Sequence, residues 1–124
     1  MKEKMVDCLT EEQECFVFVQ WCRLNNIRLA HIANESRSGS KSAMIRGAKL
    51  KRMGQSKGYW DYQVFVPQNE DKTKMIIIEM KREKGGSVSP EQKEWGEVYK
   101  SADIPCKICK GAYEAIDFVK SFLV

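Results

Sequence analysis

The 124-residue sequence predicts a single α/β domain, spanning residues 1–124, in which helices flank a mixed central β-sheet. Two capping-box patterns predict helix starts, and the apolar run at residues 75–78 is typical of a buried strand. Helical and strand-like segments alternate along the chain. No stretch approaches the ~20 apolar residues of a membrane span. We therefore expect a cytoplasmic protein with no membrane partner.

The first half of the chain is predicted to contain two helices around one strand. Thr10 and Gln13 form a capping box, and the helix that it opens extends to about residue 24. Residues 27–33 are predicted to be a short strand, and residues 34–42 a serine- and glycine-rich loop. A basic helix is predicted at residues 41–53. Its predicted core-facing residues are Met44, Ile45 and Ala48.

The second half is predicted to contain a hairpin, a helix, a strand and a last helix. Strands at 59–66 and 75–81 flank the polar stretch 67–74, which is predicted to be a turn. Ser89, Pro90 and Gln92 predict a helix that extends to about residue 102. The residues that this helix is predicted to bury are Trp95, Val98 and Tyr99. A core strand at 104–110 and a helix at 112–123 complete the order α-β-α-β-β-α-β-α.

Charged residues stand at the end of the buried strand. Glu79 and Lys81 share one face because strand side chains alternate, and burying charge is costly unless it is paired or binds a metal. If the hairpin folds about Glu70, the numbers of paired residues sum to about 140, and Asp61 lies opposite Glu79. Two acids at that distance repel each other. The pattern therefore predicts a divalent cation between them, and the alternative is an ion pair with Lys81.

The positive charge of the chain is concentrated in one segment. Residues 34–58 carry seven basic side chains against the single acid Glu35, whereas the net charge of the whole chain is +4. The basic residues are Arg37, Lys41, Arg46, Lys49, Lys51, Arg52 and Lys57. Such a segment beside a metal site predicts a polyanionic partner, most simply nucleic acid. The alternative is a solvated surface segment.

The five cysteines are predicted to be reduced and buried. Three lie seven residues apart, near one predicted helical face: Cys8, Cys15 and Cys22. Cys106 and Cys109 form a C-x-x-C pair without a second pair, and the only histidine, His31, is far away in sequence. A zinc site is therefore disfavoured.

Three motifs resemble the VRR-NUC branch of the PD-(D/E)XK nucleases, and the likeness is greatest to small stand-alone members from bacteriophages and prophages. They are K-G-Y-W-D at 57–61, I-I-E-M-K at 77–81 and G-G-S-V-S-P-E-Q-K-E-W at 85–95. The resemblance covers nearly the whole chain and implies a restriction-endonuclease-like core. Trp60 precedes Asp61 where the family commonly has proline. Proline supplies no metal ligand, so the chemistry is expected to survive this change.

The resemblance also implies roles for individual residues. The implied metal ligands are Asp61, Glu79, the backbone carbonyl of Met80 and an acid of the first helix. For that acid, Glu12 is favoured over Glu11 and Glu14, although the helix macrodipole also favours acids there. Lys81 is the implied catalytic lysine, and Gln92 is implied to face the active site while also fitting a capping box. Ligands that are all oxygen suit Mg²⁺ or Mn²⁺.

The sequence thus predicts a metal-dependent DNA endonuclease. The resemblance implies selectivity for branched DNA such as Holliday junctions and a homodimer, because paired incisions need two active sites. If the chain is phage-encoded, it acts in the cytoplasm of a bacterial host. The alternatives are a non-catalytic nucleic-acid-binding protein, a metal-dependent RNase and, less favoured, a redox role for the C-x-x-C pair. An HNH nuclease is disfavoured because the chain has a single histidine.

Overall fold

Helices and strands follow one another in the predicted order. The computed structural model describes residues 8–33 and 41–124. The helices are α1 (Glu11–Leu24), α2 (Lys41–Arg52), α3 (Pro90–Ser101) and α4 (Ala112–Lys120). The strands are β1 (Arg28–His31), β2 (Tyr62–Asn69), β3 (Lys72–Lys81) and β4 (Cys106–Lys110). Among these described helices, none is both long enough and apolar enough to cross a membrane.

The strands form one mixed sheet in the order β1-β2-β3-β4. The first three strands are antiparallel neighbours, whereas β3 and β4 are parallel. A parallel pair needs a crossover connection, and α3 provides it. The carboxyl half of β3, residues 76–81, is buried because strands lie on both sides of it and helices cover both faces. The predicted mixed sheet flanked by helices is confirmed.

Each face of the sheet carries its own core. The larger core packs under α1 and α4, and its members include Phe18, Cys22, Val64, Ile78, Ala115 and Val119. The smaller core lies under α3 and is built from Trp60, Ile77 and Tyr99, with Trp95 packed against it. Val98 was predicted to be buried with them, but it is 50% exposed. It lies on the outer side of α3, where helical spacing alone does not separate it from its neighbours.

Both predicted capping boxes are present. The backbone N–H of Thr10 donates to Gln13 Oε1 at 2.9 Å, and the N–H of Gln13 donates to Thr10 Oγ1 at 3.1 Å. Ser89 and Gln92 make the same two bonds at the start of α3, each at 3.1 Å. These bonds satisfy amide groups that a helix start otherwise leaves without partners. They fix where α1 and α3 begin.

The register of the β2–β3 hairpin is the predicted one. Tyr62 at the start of β2 pairs with Ile78, so Asp61, the residue before the strand, lies opposite Glu79. This register sets the two acids side by side at the end of the hairpin that is remote from its turn. The fold thereby builds the acid pair from residues 18 positions apart in the sequence.

The hairpin is longer than predicted. The strands continue through polar residues to Asn69 and resume at Lys72, so the turn is Glu70-Asp71 and not the whole stretch 67–74. The pairing is irregular between Pro67 and Asn69. These strand ends extend past the core, where no apolar alternation marks them in the sequence.

Helix α2 does not bury the residues predicted to face the core. Met44 is 67% and Ile45 62% exposed, and Ala48 is also exposed. The half-buried positions are Gly47 and Leu50, on a different side of the helix. The prediction was wrong because α2 does not lie flat on the sheet, so its apolar residues do not have to face inward.

The cysteines are all free thiols, as predicted, but only Cys22 and Cys109 are buried, whereas the other three are half-buried. Cys8 precedes α1 and so does not share its helical face, contrary to prediction. Cys106 packs against the smaller core and Cys109 belongs to the larger one, because residues three apart on a strand point to opposite faces. Burial raises the pKa of the Cys109 thiol to about 12. This geometry is unsuited to a shared zinc ion or a redox pair.

Candidate active site

The carboxylates of Asp61 and Glu79 each accept a hydrogen bond from a backbone N–H at or next to the other acid. The N–H of Asp61 donates to Glu79 Oε1 at 3.1 Å, and the N–H of Met80 donates to Asp61 Oδ2 at 2.9 Å. A third bond, from the N–H of Ile32 to the carbonyl of Asp61 at 2.7 Å, continues the pairing with β1. Hydrogen bonds from the backbone therefore hold both carboxylates in place.

The two acids have raised pKa values. Burial and then the charge of Asp61 raise the pKa of Glu79 from 4.5 to about 8, against the opposing effect of Lys81. Burial also raises the pKa of Asp61, and the hydrogen bond from Met80 and the nearness of His31 act against that rise. Glu79 is only 2% exposed. Two carboxylates in such surroundings favour a shared proton or a cation over two bare charges.

Lys81 and Gln92 both contact Glu79 Oε2. Lys81 Nζ lies 3.3 Å from that oxygen, and Gln92 Nε2 donates to it at 2.8 Å. Gln92 thus makes its capping-box bonds and reaches the acid pair at the same time. A Cβ at Gly86 would lie 3.2 Å from Lys81 Cβ, which shows that the loop after β3 packs on the lysine stem.

Trp60 stands at the position where proline was expected from the resemblance, and it makes two hydrogen bonds that proline cannot make. Its indole Nε1 donates to the carbonyl of Gln92 at 2.8 Å, and its backbone N–H donates to the hydroxyl of Tyr99 at 3.1 Å. Its ring also packs on Gly96 of α3. Proline has no N–H and no indole, so in this chain the residue before Asp61 ties the acid to α3.

The donor set fits a hard divalent cation. The carbonyl of Lys81 accepts the N–H of Gly111 on the β4 side, so by alternation the carbonyl of Met80 points to the side of β2 and Asp61. Two carboxylates and one carbonyl at the same strand ends are ligands of the kind that Mg²⁺ and Mn²⁺ prefer. Asp61, Glu79 and Met80 are therefore the residues that would hold the ion.

No acid of α1 completes this group. Among the described residues, no three His, Cys, Asp or Glu side chains gather as they would around a metal ion. Glu12 and Glu11 are exposed and line a groove that Asp61 also borders. Glu14 points elsewhere: it is buried, and its Oε1 accepts the N–H of Ala112 at 2.8 Å, at the first residue of α4. The ligand role of Glu12 stays a prediction.

Two grooves flank the acid pair. The first, here the α1 groove, has a volume of about 810 Å³, runs along α1 and reaches Asp61. The second, here the α2–α3 groove, has a volume of about 460 Å³ and lies between α2 and the start of α3. Lys51, Lys57 and Gln92 line the α2–α3 groove. A Cβ at Gly58 would lie 2.5 Å from Glu91 Cβ, so glycine is needed where the chain passes α3.

The predicted nucleic-acid-binding residues follow one another along this second groove and α2. Five of them are exposed on α2: Lys41, Arg46, Lys49, Lys51 and Arg52. Lys57 lies 3.9 Å from Glu91 in an exposed ion pair, which is worth little in water. Arg37 lies outside the described residues. The described part of the basic segment thus borders the acid pair on its Gln92 side, through Lys51 and Lys57.

His31 lies beside the acid pair, a position that was not predicted from the sequence. It ends β1 directly opposite Tyr62, and the two ring centroids are 5.0 Å apart. The residue lines the α1 groove together with Asp61. A lone histidine on a short strand carries no signal of this position, because only the β1–β2 register brings it beside the acid.

A mixed sheet that ends in two paired acids and a lysine defines a nuclease core of the restriction-endonuclease type. A family model of the VRR-NUC domain matches residues 1–113, and the chain therefore belongs to the VRR-NUC family. Its fold is similar to a solved structure described as a VRR_NUC domain protein, at 21% sequence identity and a TM-score of 0.66. That likeness covers 94% of this chain and 89% of the other. No curated protein matches the sequence.

Family membership indicates a nuclease-type function, with DNA as the substrate. This conclusion agrees with the basic segment beside the acid pair. It also explains why the end of a buried strand carries an acid and a lysine that a purely structural strand would avoid.

Proposed function

We propose that this protein is an endodeoxyribonuclease that depends on Mg²⁺ or Mn²⁺ and cuts branched DNA, such as a Holliday junction, as a homodimer. The observation that supports it most is the buried acid pair, Asp61 and Glu79, with Lys81 and Gln92 on the same carboxylate oxygen. A surface charge cluster would need none of this burial.

The metal dependence is supported by the chemistry of the pair. A bound divalent ion would polarise the phosphate and supply a hydroxide-like nucleophile near neutral pH. Gln92 holds Glu79 through its amide, and this bond orients the carboxylate without adding charge. Lys81, held beneath the loop after β3, is placed to stabilise negative charge that develops on the phosphate.

The branched substrate and the homodimer are supported by the resemblance to stand-alone VRR-NUC proteins and by simple counting. The described chain holds one Asp61–Glu79 pair, and cutting two strands at symmetric positions requires two such pairs. A two-fold homodimer supplies them. The exposed lysines and arginines of α2 would contact phosphates, and such contacts position DNA without reading its sequence.

Cleavage of a panel of four-way, flap, nicked and linear DNA in Mg²⁺ or Mn²⁺ tests the proposal. We expect cleavage of the branched substrates, none in EDTA, and loss of at least ~100-fold in the rate with Lys81→Ala or Asp61→Asn. Glu97→Gln, on the exposed outer side of α3, is the matched control and should cut normally. Full activity of either site variant would contradict the mechanism.

Two further measurements separate the other parts of the proposal. Sedimentation of the protein alone and with a four-way junction tests the homodimer, and a monomer in both states would contradict it. A matched RNA junction tests the substrate, because faster cleavage of RNA would favour a ribonuclease. Binding with a steep salt dependence but no cleavage would favour a non-catalytic DNA-binding protein.

A further inference from the structure

The α1 groove differs chemically from the groove on the other side of the acid pair. Its walls carry three aromatic rings, those of Phe16, His31 and Tyr62. Phe16 is 64% exposed although it is apolar. Tyr62 directly follows Asp61 in the chain and its ring centroid lies 5.0 Å from that of His31, so these two rings and Asp61 lie at the same end of the groove. The groove is thus a wide space, lined in part by aromatic rings, that reaches Asp61 of the acid pair.

The charges of this groove are unfavourable for a DNA backbone. In the protein without a metal ion, the state in which the inference is tested, two acids of the first turn of α1 line it, Glu11 and Glu12. Among its described lining residues, the cation is Arg23, which lies in the last turn of α1, ~16 Å along the helix from Glu12. Each nucleotide of a backbone brings a negative charge, so a strand would not run its phosphates along these acids.

The α2–α3 groove has the opposite character. Lys51 and Lys57 line it, and it meets the acid pair at Gln92. A DNA strand can therefore approach with its phosphates along the lysines and reach Asp61 and Glu79 with the phosphate that is cut. The next nucleotide then meets a groove that accepts an uncharged flat ring better than a phosphate.

We propose that the α1 groove receives the unpaired base of the nucleotide next to the cut phosphate, with Phe16 as its stacking partner. This inference rests on the proposed function, because it takes Asp61 and Glu79 as the place of cleavage. A base inside a duplex is stacked and paired, so it can enter the groove only when it is unpaired or turned out of the helix. The substrate class that follows is DNA with an unpaired or frayed nucleotide at the incision point.

Binding measured without metal tests the groove independently of cleavage. In EDTA, we compare by fluorescence anisotropy a duplex with one unpaired nucleotide and the same duplex fully paired. The wild type should bind the first at least ~5-fold more tightly, since stacking one base on an aromatic ring is worth that factor or more. Phe16→Ala should lose this preference, and Phe16→Tyr should keep it.

Tyr113→Ala is the control, because Tyr113 is a 75% exposed aromatic residue on α4 and is not part of the groove. It should keep the preference. Circular dichroism of each variant checks that the helices are intact, which the exposure of Phe16 leads us to expect. A preference that survives in Phe16→Ala, or that the wild type lacks, would overturn the inference.

A cleavage assay of the wild type in Mn²⁺ separates this inference from the nuclease mechanism. If the protein cuts no DNA but loses its preference with Phe16→Ala, the base-binding groove stands and the mechanism fails. If it cuts fully paired and unpaired substrates equally well and Phe16→Ala has no effect on binding, the mechanism stands and the groove inference fails.

Discussion

The raised pKa of Glu79 makes the stability of the metal-free protein depend on pH. The pKa of this carboxyl rises from 4.5 to about 8 because it is buried next to Asp61. The folded state therefore binds a proton more tightly than the unfolded state does. The stabilisation is complete below pH 4.5, is lost as the pH rises towards 8, and is absent above it. Each pH unit in that window is worth about 1.4 kcal/mol, so the loss amounts to as much as ~5 kcal/mol.

Urea unfolding in EDTA at pH 5, 6, 7 and 8, followed by tryptophan fluorescence, measures this loss. The free energy of unfolding of the wild type should fall across the series. Glu79→Gln, which carries no titrating group at that position, should fall much less and be the more stable protein at pH 8. Glu97→Gln replaces an exposed glutamate and should follow the wild type. Titrating groups remote from the acid pair contribute equally to the three proteins and cancel in the comparison, whereas Asp61, whose pKa depends on its neighbour Glu79, belongs to the measured effect.

Divalent metal should reverse the effect. At pH 8, Mn²⁺ at a hundred times its dissociation constant should stabilise the wild type by about 2.7 kcal/mol. Glu79→Gln should gain less, because it lacks one charged ligand. Parallel pH curves for the wild type and Glu79→Gln in EDTA would refute the reasoning, since they would mean that burial of the acid pair has no energetic cost.

Two further predictions concern residues that serve both fold and site. Gln92→Ala should lower the cleavage rate by at least ~10-fold and also destabilise the start of α3, whereas Ser89→Ala should cost only the cap, about 1 kcal/mol, and keep its activity. Urea unfolding and cleavage rates of both variants measure these effects. Equal activity of the two variants would contradict a role for the hydrogen bond from Gln92 to Glu79. Glu14→Ala should destabilise the fold by about 1–3 kcal/mol because it leaves the buried N–H of Ala112 without its partner. Glu12→Ala should leave stability unchanged and weaken Mn²⁺ binding measured by calorimetry. An unchanged Mn²⁺ affinity would show that Glu12 is not a metal ligand.

The acid pair could be predicted from the sequence because a hairpin fixes its register locally. A turn at Glu70-Asp71 dictates which residues face each other. Buried and more exposed residues alternate along β2, so a slip by one position would turn Val64 and Val66 out of the core. The pairing of Asp61 with Glu79 therefore follows from a few neighbouring residues, and the capping boxes are local in the same way.

Features that depend on distant contacts were not predictable. The side of α2 that faces the protein is set by where the helix is attached, so the apolar pattern of Met44 and Ile45 gave the wrong face. His31 lies beside Asp61 only through the β1–β2 pairing. Glu14 resembles its neighbours in sequence, yet it alone among the first-turn acids of α1 is buried, against the start of α4. In each case the deciding partner is far away along the chain.

The match to the family ends near the start of the last helix, before residues that the larger core contains. The VRR-NUC match ends at residue 113, whereas α4 continues to Lys120. A protein truncated at the end of the match would keep every acid, the lysine and the glutamine of the site. It would lose Ile116 and Val119 from the larger core, each worth ~1.5–3 kcal/mol on burial. The shortened protein would thus keep all the residues proposed for cleavage but lack part of the core that stabilises the fold around them.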